Sequence, residues 1–86
     1  MSRAANISRA ILGILANAGD YALPEDQLYT ELRGQLRPPV SDDEARPALE
    51  ALRTRAAITF LGDDLDPTLR KFLITESGKT LLARQP

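Results

Sequence analysis

The sequence lacks three residue types on which much protein chemistry depends: its 86 residues include no cysteine, no histidine and no tryptophan. Without cysteine, the chain forms no disulfide bond and offers no thiolate to a metal. Without histidine as well, the Ser-His-Asp and Cys-His catalytic arrangements are excluded, as are the zinc sites built on these residues. The sequence therefore predicts a protein that is not an enzyme and holds no metal or cofactor.

Long hydrophobic runs are also missing. No apolar stretch approaches the ~18–20 residues that span a membrane. The first residues lead into an amphipathic pattern rather than into the apolar core of a signal peptide. The hydrophobic content of 43% is ordinary for a water-soluble protein. These features predict a cytoplasmic protein without a membrane partner, folded as a single domain over residues 1–86.

The chain has no excess of positive charge, because its 11 basic residues are offset by 12 acidic ones. Nucleic-acid-binding proteins usually carry such an excess, since neutralising phosphates supplies much of their affinity. The overall charge therefore argues mildly against DNA as a partner. It leaves open that positive charge is concentrated on one face of the fold.

Two amphipathic helices are predicted in the first half of the chain. Apolar residues recur at helical spacing and Gly19 follows where a left-handed C-terminal residue is favoured, so the first helix is placed over about 3–18. A second helix begins at Pro24, whose fixed φ suits the first turn, and ends near Gly34. Its buried stripe is predicted to consist of Leu28, Leu32 and Leu36.

The third helix carries the clearest local signal in the sequence. Ser41 and Glu44 have the S-x-x-E spacing of a capping box, which places a helix over about 42–56. Its inward-facing stripe is predicted to be Ala45, Ala48, Leu49 and Leu52. Pro47 removes one backbone hydrogen bond within this helix and predicts a distorted first turn.

A β-hairpin is predicted after the third helix, where the residues become β-branched and aromatic. Its strands are placed at about 57–61 and 69–74, with turn-forming residues between them. Thr75 can cap a last short helix that contains Leu81 and Leu82. The order helix-helix-helix-strand-strand-helix predicts a mainly α-helical fold with a small β-hairpin, of the α+β class.

Two stretches of this pattern resemble the winged helix-turn-helix superfamily, particularly the small bacterial regulators of the MarR and PadR type. The run from Val40 through the apolar stripe to Ile58 is similar to a recognition helix that leads into the first strand of the wing. Residues 72–78 are similar to the end of the second wing strand and the start of the last helix. The resemblance covers nearly the whole chain and implies the winged-helix fold and a DNA-binding transcriptional regulator.

The sequence departs from these relatives at one corner of the fold. Many relatives have glycine between the recognition helix and the wing, where this chain has Ala56 and Ala57. A left-handed backbone conformation at this point costs alanine ~1 kcal/mol relative to glycine.

The resemblance implies a DNA-binding surface on the third helix, which lies in the major groove in such folds, and on the wing. The residues predicted to contact DNA are Ser41, Arg46, Arg53, Thr54, Arg70 and Lys71. The same region is rich in carboxylates, which are interpreted as helix caps and turn formers: Asp42, Asp43, Glu44, Glu50, Asp63, Asp64 and Asp66. Their charge favours an alternative function, a protein–protein interaction module that does not bind DNA.

Two further motifs are interpreted as chance matches. Ser77-Gly78-Lys79-Thr80 matches the end of a phosphate-binding loop, but Leu73 stands where that motif requires glycine. The aspartates between the predicted strands lack the glycine and the distal glutamate of an EF-hand calcium loop. A solvated turn is the preferred interpretation of these aspartates.

Three leucines suggest a homodimer. Leu12 lies off the main apolar stripe of the first helix, and Leu81 and Leu82 cannot both point into one small core. Exposed together, they would form an apolar patch suited to symmetric association. The alternative is that they pack within the monomer.

Overall fold

The computed structural model describes residues 3–62 and 70–84, which form helices and strands in the predicted order with one addition. The helices are α1 (Arg3–Ala18), α2 (Glu25–Gln35), α3 (Asp42–Thr54) and α4 (Glu76–Ala83). The strands are β1 (Leu23–Pro24), β2 (Ile58–Leu61) and β3 (Lys71–Ile74). The predicted α+β fold with its hairpin is confirmed. Most of the predicted turn, with Leu69, lies outside the described residues.

Strand β1 is the addition that the sequence does not predict. It pairs antiparallel with β3, which also pairs with β2, so the strand order is β1-β3-β2. Pro24 was expected in the first turn of a helix; it lies in β1 instead and is the N-cap residue of α2. The next residue, Glu25, donates its backbone N–H to the carbonyl of Arg70 at 2.9 Å. A two-residue strand has no periodicity to detect and exists because β3 lies beside it.

Helix α1 forms the centre of the hydrophobic core. It contacts α2, α3, α4 and β3. Its buried residues cover a wide arc and include Leu12, which is only 2% exposed. The prediction that Leu12 lies on an exposed patch is therefore wrong, because helices pack against α1 on several sides. Leu81 and Leu82 are half-buried and pack against the same core.

Helix α3 begins at the predicted capping box. The Ser41 hydroxyl accepts a hydrogen bond from the backbone N–H of Glu44 at 3.2 Å, and the Glu44 carboxylate accepts one from the backbone N–H of Ser41 at 3.3 Å. The helix continues through Pro47 without interruption, so the expected distortion does not break it. The apolar stripe of α3 is buried as predicted, which leaves the opposite face of the helix exposed.

Helix α3 ends in a Schellman motif, in which the final carbonyls of a helix accept hydrogen bonds from the residues that follow it. The N–H of Ala57 donates to the carbonyl of Leu52 at 2.9 Å, and the N–H of Ala56 donates to the carbonyl of Arg53 at 2.9 Å. Ala56 has a φ of 60°, so alanine holds the left-handed position that usually favours glycine. The helix therefore ends at Thr54, two residues before the predicted end.

The start of α4 packs against this same turn. The Thr75 hydroxyl donates to the carbonyl of Ala56 at 2.6 Å and accepts from the N–H of Gly78 at 3.0 Å, so Thr75 is the predicted N-cap. The Thr75 N–H donates to the carbonyl of Ala57 at 3.0 Å. A side chain at Gly78 would overlap that carbonyl. These four residues, Ala56, Ala57, Thr75 and Gly78, are called the corner below.

Candidate nucleic-acid interface

The surface that corresponds to the predicted DNA contacts consists of the exposed side of α3 and the hairpin strands β2 and β3. We call it the α3–hairpin face. The corner joins its two parts, because α3 passes through Ala56 and Ala57 directly into β2. The geometry of the corner therefore fixes how the hairpin is oriented relative to the helix.

The carboxylates of α3 are neutralised by arginines to a degree that the sequence does not reveal. Each of the four acidic residues of this helix forms an ion pair with an arginine. Two of the partners come from other helices: Arg3 of α1 lies 2.6 Å from Glu44, and Arg33 of α2 lies 3.4 Å from Asp42. The carboxylates of α3 are therefore offset by nearby arginines. Because two of these arginines come from other helices, the surface around α3 is less acidic than the sequence of α3 alone suggests.

The Arg3–Glu44 pair also ties α1 to the beginning of α3. Hydrogen bonding from Arg3 and from the backbone of Ser41 lowers the pKa of the Glu44 carboxyl below its ordinary value. One Arg3 Nη nitrogen also donates to the carbonyl of Pro38 at 2.8 Å, so a single side chain connects α1 with the α2–α3 connection. Arg3 thus contributes to positioning the N-terminal end of the exposed helix.

Arg53, Phe60 and Arg70 meet where α3 approaches the hairpin, and we call them the arginine–phenylalanine cluster. The guanidinium carbons of Arg53 and Arg70 lie 5.4 and 5.8 Å from the centre of the Phe60 ring, within the range of cation–π contacts. The Phe60 side chain remains 36% exposed. Two predicted DNA-contacting residues from separate elements are therefore held together on one partly exposed aromatic ring.

A half-buried hydrogen-bond network holds Arg70 in this cluster. The Glu25 carboxylate of α2 accepts from Arg70 at 2.6 Å and from the Tyr29 hydroxyl at 2.8 Å. Burial raises the pKa of Glu25, but the hydrogen bonds from Arg70 and Tyr29 outweigh it, so the pKa lies below its ordinary value. Burial together with the hydrogen bond to Glu25 raises the pKa of Tyr29 to about 12. Glu25 is therefore ionised at neutral pH and anchors Arg70 to α2.

The other predicted contact residues are distributed along the face. Ser41 lies at the N-terminal end of α3, where its hydroxyl caps the helix, and Thr54 is exposed at the opposite end. Arg46 is exposed and lies 3.6 Å from Asp43. Lys71 is exposed at the start of β3 and forms no ion pair with any described residue. The three predicted tip aspartates, at 63, 64 and 66, lie outside the described residues.

Sequence reasoning missed Phe60 and Glu25 as parts of this site. Phe60 was expected only as a strand residue, and Glu25 only as a favourable charge at a helix N-terminus. Arg70 and Glu25 are 45 positions apart in the sequence, so no local pattern predicts their contact. The sequence holds one signal that could have found the cluster, which is a phenylalanine in the predicted strand that follows an arginine-bearing helix.

A second feature of the surface is an apolar groove between α1, α3 and α4, with a volume of about 530 Å³. Ile7, Ala48, Leu52 and Leu81 contribute to its floor and walls. Among residues 3–62 and 70–84, no group of histidine, cysteine, aspartate and glutamate side chains is arranged to hold a metal ion. No helix in this part of the chain is long and apolar enough to cross a membrane.

Solved structures of known proteins share this fold, although no family model and no curated protein sequence matches the chain. A point mutant of MepR from Staphylococcus aureus, bound to an oligodeoxyribonucleotide, matches 91% of this chain with a TM-score of 0.73 and 19% identity. A PadR-like transcription factor from Bacteroides fragilis matches 94% with a TM-score of 0.74 and 16% identity. A protein from Streptococcus mutans matches 93% with a TM-score of 0.73 and 17% identity.

These comparisons establish the fold of the chain. It shares the winged helix-turn-helix fold with the MepR mutant and the PadR-like protein, as the resemblance in its sequence predicted. The chain spans about half of the MepR chain, 52%, and 77% of the PadR-like chain. At identities below a fifth, the likeness concerns architecture alone.

Proposed function

We propose that this protein is a non-enzymatic transcriptional regulator that binds double-stranded DNA through the α3–hairpin face. The observation that carries the proposal is the arginine–phenylalanine cluster, in which a helix residue and a hairpin residue are brought together on the exposed side of a winged-helix fold. The pairing of the α3 carboxylates with arginines adds support, because it removes much of the electrostatic objection to DNA.

The proposed contacts divide into two kinds. Arg46 and Thr54 lie on α3, and we assign them to base edges when the helix occupies the major groove. Arg53, near the C-terminal end of α3, is assigned to phosphates together with Arg70 and Lys71 at the start of the second hairpin strand. Phosphate contacts fix the register of the protein on the duplex. Ser41 serves first as the helix cap. Its hydroxyl also donates to the Glu44 carboxylate at 3.5 Å, and we propose that it exchanges this long hydrogen bond for a phosphate beside the N-terminus of α3.

Lys71 gives the sharpest test, because within residues 3–62 and 70–84 it pairs with no carboxylate that its removal would leave unpaired. The Lys71→Ala variant is expected to bind DNA more weakly at every base sequence and to reduce the slope of log K against log salt by about one. Lys79→Ala on α4 is the matched control, with the same loss of charge, and should leave the slope unchanged. Fluorescence anisotropy with duplex DNA measures both variants.

A protein–protein interaction module is the second candidate function. The observation that favours it is the adjacent exposure of Phe60 and Leu61 on β2, where Leu61 is 52% exposed. Exposed apolar side chains beside paired charges are typical of surfaces that bind other proteins. Absence of DNA binding at about 50 mM salt would remove the regulator proposal and leave this one.

We further propose that the protein acts as a homodimer in the cytoplasm, as two-fold regulators do on DNA. The proposed contact surface is the apolar groove between α1, α3 and α4, which is lined by the half-buried Leu81. Leu12 also lines this groove but is only 2% exposed, so it adds little contact area. Light scattering that yields the mass of a single chain at high protein concentration would contradict the dimer.

A further inference from the structure

Glu50 lies between the two arginines of the arginine–phenylalanine cluster. One of its carboxylate oxygens accepts hydrogen bonds from Arg53 Nε at 3.1 Å and from Arg53 Nη2 at 2.8 Å. Its other oxygen lies 4.0 Å from Arg70 Nη1. A carboxylate that receives two N–H groups of one guanidinium occupies the place that a phosphate oxygen takes in DNA complexes.

Arg70 does not depend on Glu50 for its position, and Arg53 keeps its contact with the Phe60 ring when its hydrogen bonds to Glu50 are removed. Both guanidinium groups lie over the Phe60 ring, and Arg70 is also held by Glu25 at 2.6 Å and lies 5.5 Å from the centre of the Phe72 ring. Stacking on an aromatic ring fixes the plane of a guanidinium group. Removal of the Glu50 carboxylate therefore leaves two oriented cations on the α3–hairpin face.

The contribution of Glu50 to folding is small. Its side chain and that of Arg53 are each about half exposed, at 51% and 48%, and exposed ion pairs of this kind stabilise proteins little. Glu25 differs, because it is half-buried and bonded to two partners. The main physical effect of Glu50 is thus to reduce the positive potential at the point where the helix and the hairpin meet.

We propose that Glu50 is an internal competitor for phosphate, which pairs with Arg53 and Arg70 and thereby lowers the affinity of this face for double-stranded DNA. The inference rests on the proposed DNA-binding function and adds a residue that sets its strength. When a duplex binds, a backbone phosphate displaces the carboxylate from Arg53. The exchange requires no change in the backbone and applies to any base sequence, because phosphates carry no sequence information.

The test compares Glu50→Gln with Glu76→Gln. Glu76 is also an exposed glutamate paired with a cation three residues along its helix, Lys79 at 3.3 Å, but it lies on α4. Binding of a short mixed-sequence duplex is measured by fluorescence anisotropy over a range of salt concentrations. Glu50→Gln is expected to bind about tenfold more tightly at about 100 mM salt, with a slope steeper by about one. Glu76→Gln is expected to change the affinity less than about twofold.

A further variant separates loss of charge from loss of folding. Glu50→Ala removes the same charge and places a strong helix former in an exposed helix position, so it must give the same gain in affinity. A wild-type protein that binds at about 50 mM salt but not at about 100 mM salt, where Glu50→Gln still binds, also supports the inference, because it means that the carboxylate masks the face.

Several results would overturn it. Equal gains for Glu50→Gln and Glu76→Gln would mean that only net charge matters. Weaker binding by Glu50→Gln would mean that the carboxylate positions the arginines for DNA. A gain confined to particular base sequences would assign Glu50 to base reading. If the wild type binds and Glu50→Gln is unchanged, this inference alone fails. If neither protein binds at about 50 mM salt, the proposed function fails with it.

Discussion

The corner and the α3–hairpin face are held together by different kinds of contact. At the corner, backbone groups of Ala56, Ala57 and Gly78 and the hydroxyl of Thr75 lie at hydrogen-bonding or van der Waals distance, with no room for another atom. On the face, long charged side chains pair with one another and remain partly in contact with water. The difference indicates that the corner fixes geometry, whereas the face holds groups that can exchange one partner for another.

The largest effect is expected from adding a methyl group to the corner. In Gly78→Ala the new Cβ would overlap the Ala57 carbonyl oxygen and lie 2.8 Å from Ile74 Cγ1, so the start of α4 must move. We expect a loss of ~3 kcal/mol or more in the free energy of unfolding. Gly13→Ala is the control, since nothing lies within 4 Å of the position that its methyl group would take, and a helical alanine should stabilise α1 by ~0.5–1 kcal/mol. Urea unfolding measures both variants.

A smaller loss is expected from the half-buried anchor beneath the face. Glu25→Gln removes the charge that pairs with Arg70 and should lower the free energy of unfolding by ~2 kcal/mol at neutral pH. Because the folded-state pKa of Glu25 lies below its ordinary value of 4.5, its stabilisation is present above that pH and is lost as pH falls through the folded pKa.

The difference between wild type and Glu25→Gln should therefore shrink as the pH falls below 4.5. Urea unfolding at a series of pH values measures it. A difference that stays constant down to the acid limit would mean that the charge of Glu25 does not stabilise the fold.

A gain in stability is expected where the corner departs from its preferred residue. Ala56 has a φ of 60°, which glycine adopts without steric cost, so Ala56→Gly should raise the free energy of unfolding by ~1 kcal/mol. The same replacement at Ala51, inside α3, should lower it by ~1 kcal/mol because glycine is a poor helix former. Opposite signs for the two variants in thermal unfolding are the required result; a loss at both positions would contradict the left-handed assignment.

The smallest effect is expected on the face itself. Glu50→Gln removes an exposed ion pair with Arg53 and should change the free energy of unfolding by no more than ~0.5 kcal/mol. A loss as large as that of Glu25→Gln would remove the contrast between anchoring and exchangeable charges. The same urea titrations used for Glu25→Gln measure this change.

The sequence predicts those parts of the fold whose causes are local. The capping box at Ser41 and Glu44, the apolar stripe of α3 and the cap at Thr75 depend on residues three or four positions apart, and all three are confirmed. The winged-helix fold follows from the order of these elements. Strand β1 escapes prediction, because its two residues acquire their conformation from β3.

The candidate site was less accessible to sequence reasoning than the fold. Leu12 was expected at the surface because its position on one helix does not reveal that other helices pack on several sides of α1. The acidic appearance of α3 was a consequence of reading the helix alone, since Arg3 and Arg33 approach it from other elements. Ion pairs between residues far apart in the sequence form only through tertiary packing, so the spacing of residues along the chain does not predict them.

The left-handed alanine at the end of α3 also bears on how the protein can evolve. Codons for alanine and glycine differ by a single base, so the stabilising replacement at Ala56 is one mutational step away. A lineage that acquires glycine there can accept a costly replacement elsewhere, including on the surface that meets its partner. Relief of the backbone strain at Ala56 would thus offset the stability that is lost when residues of the binding surface change.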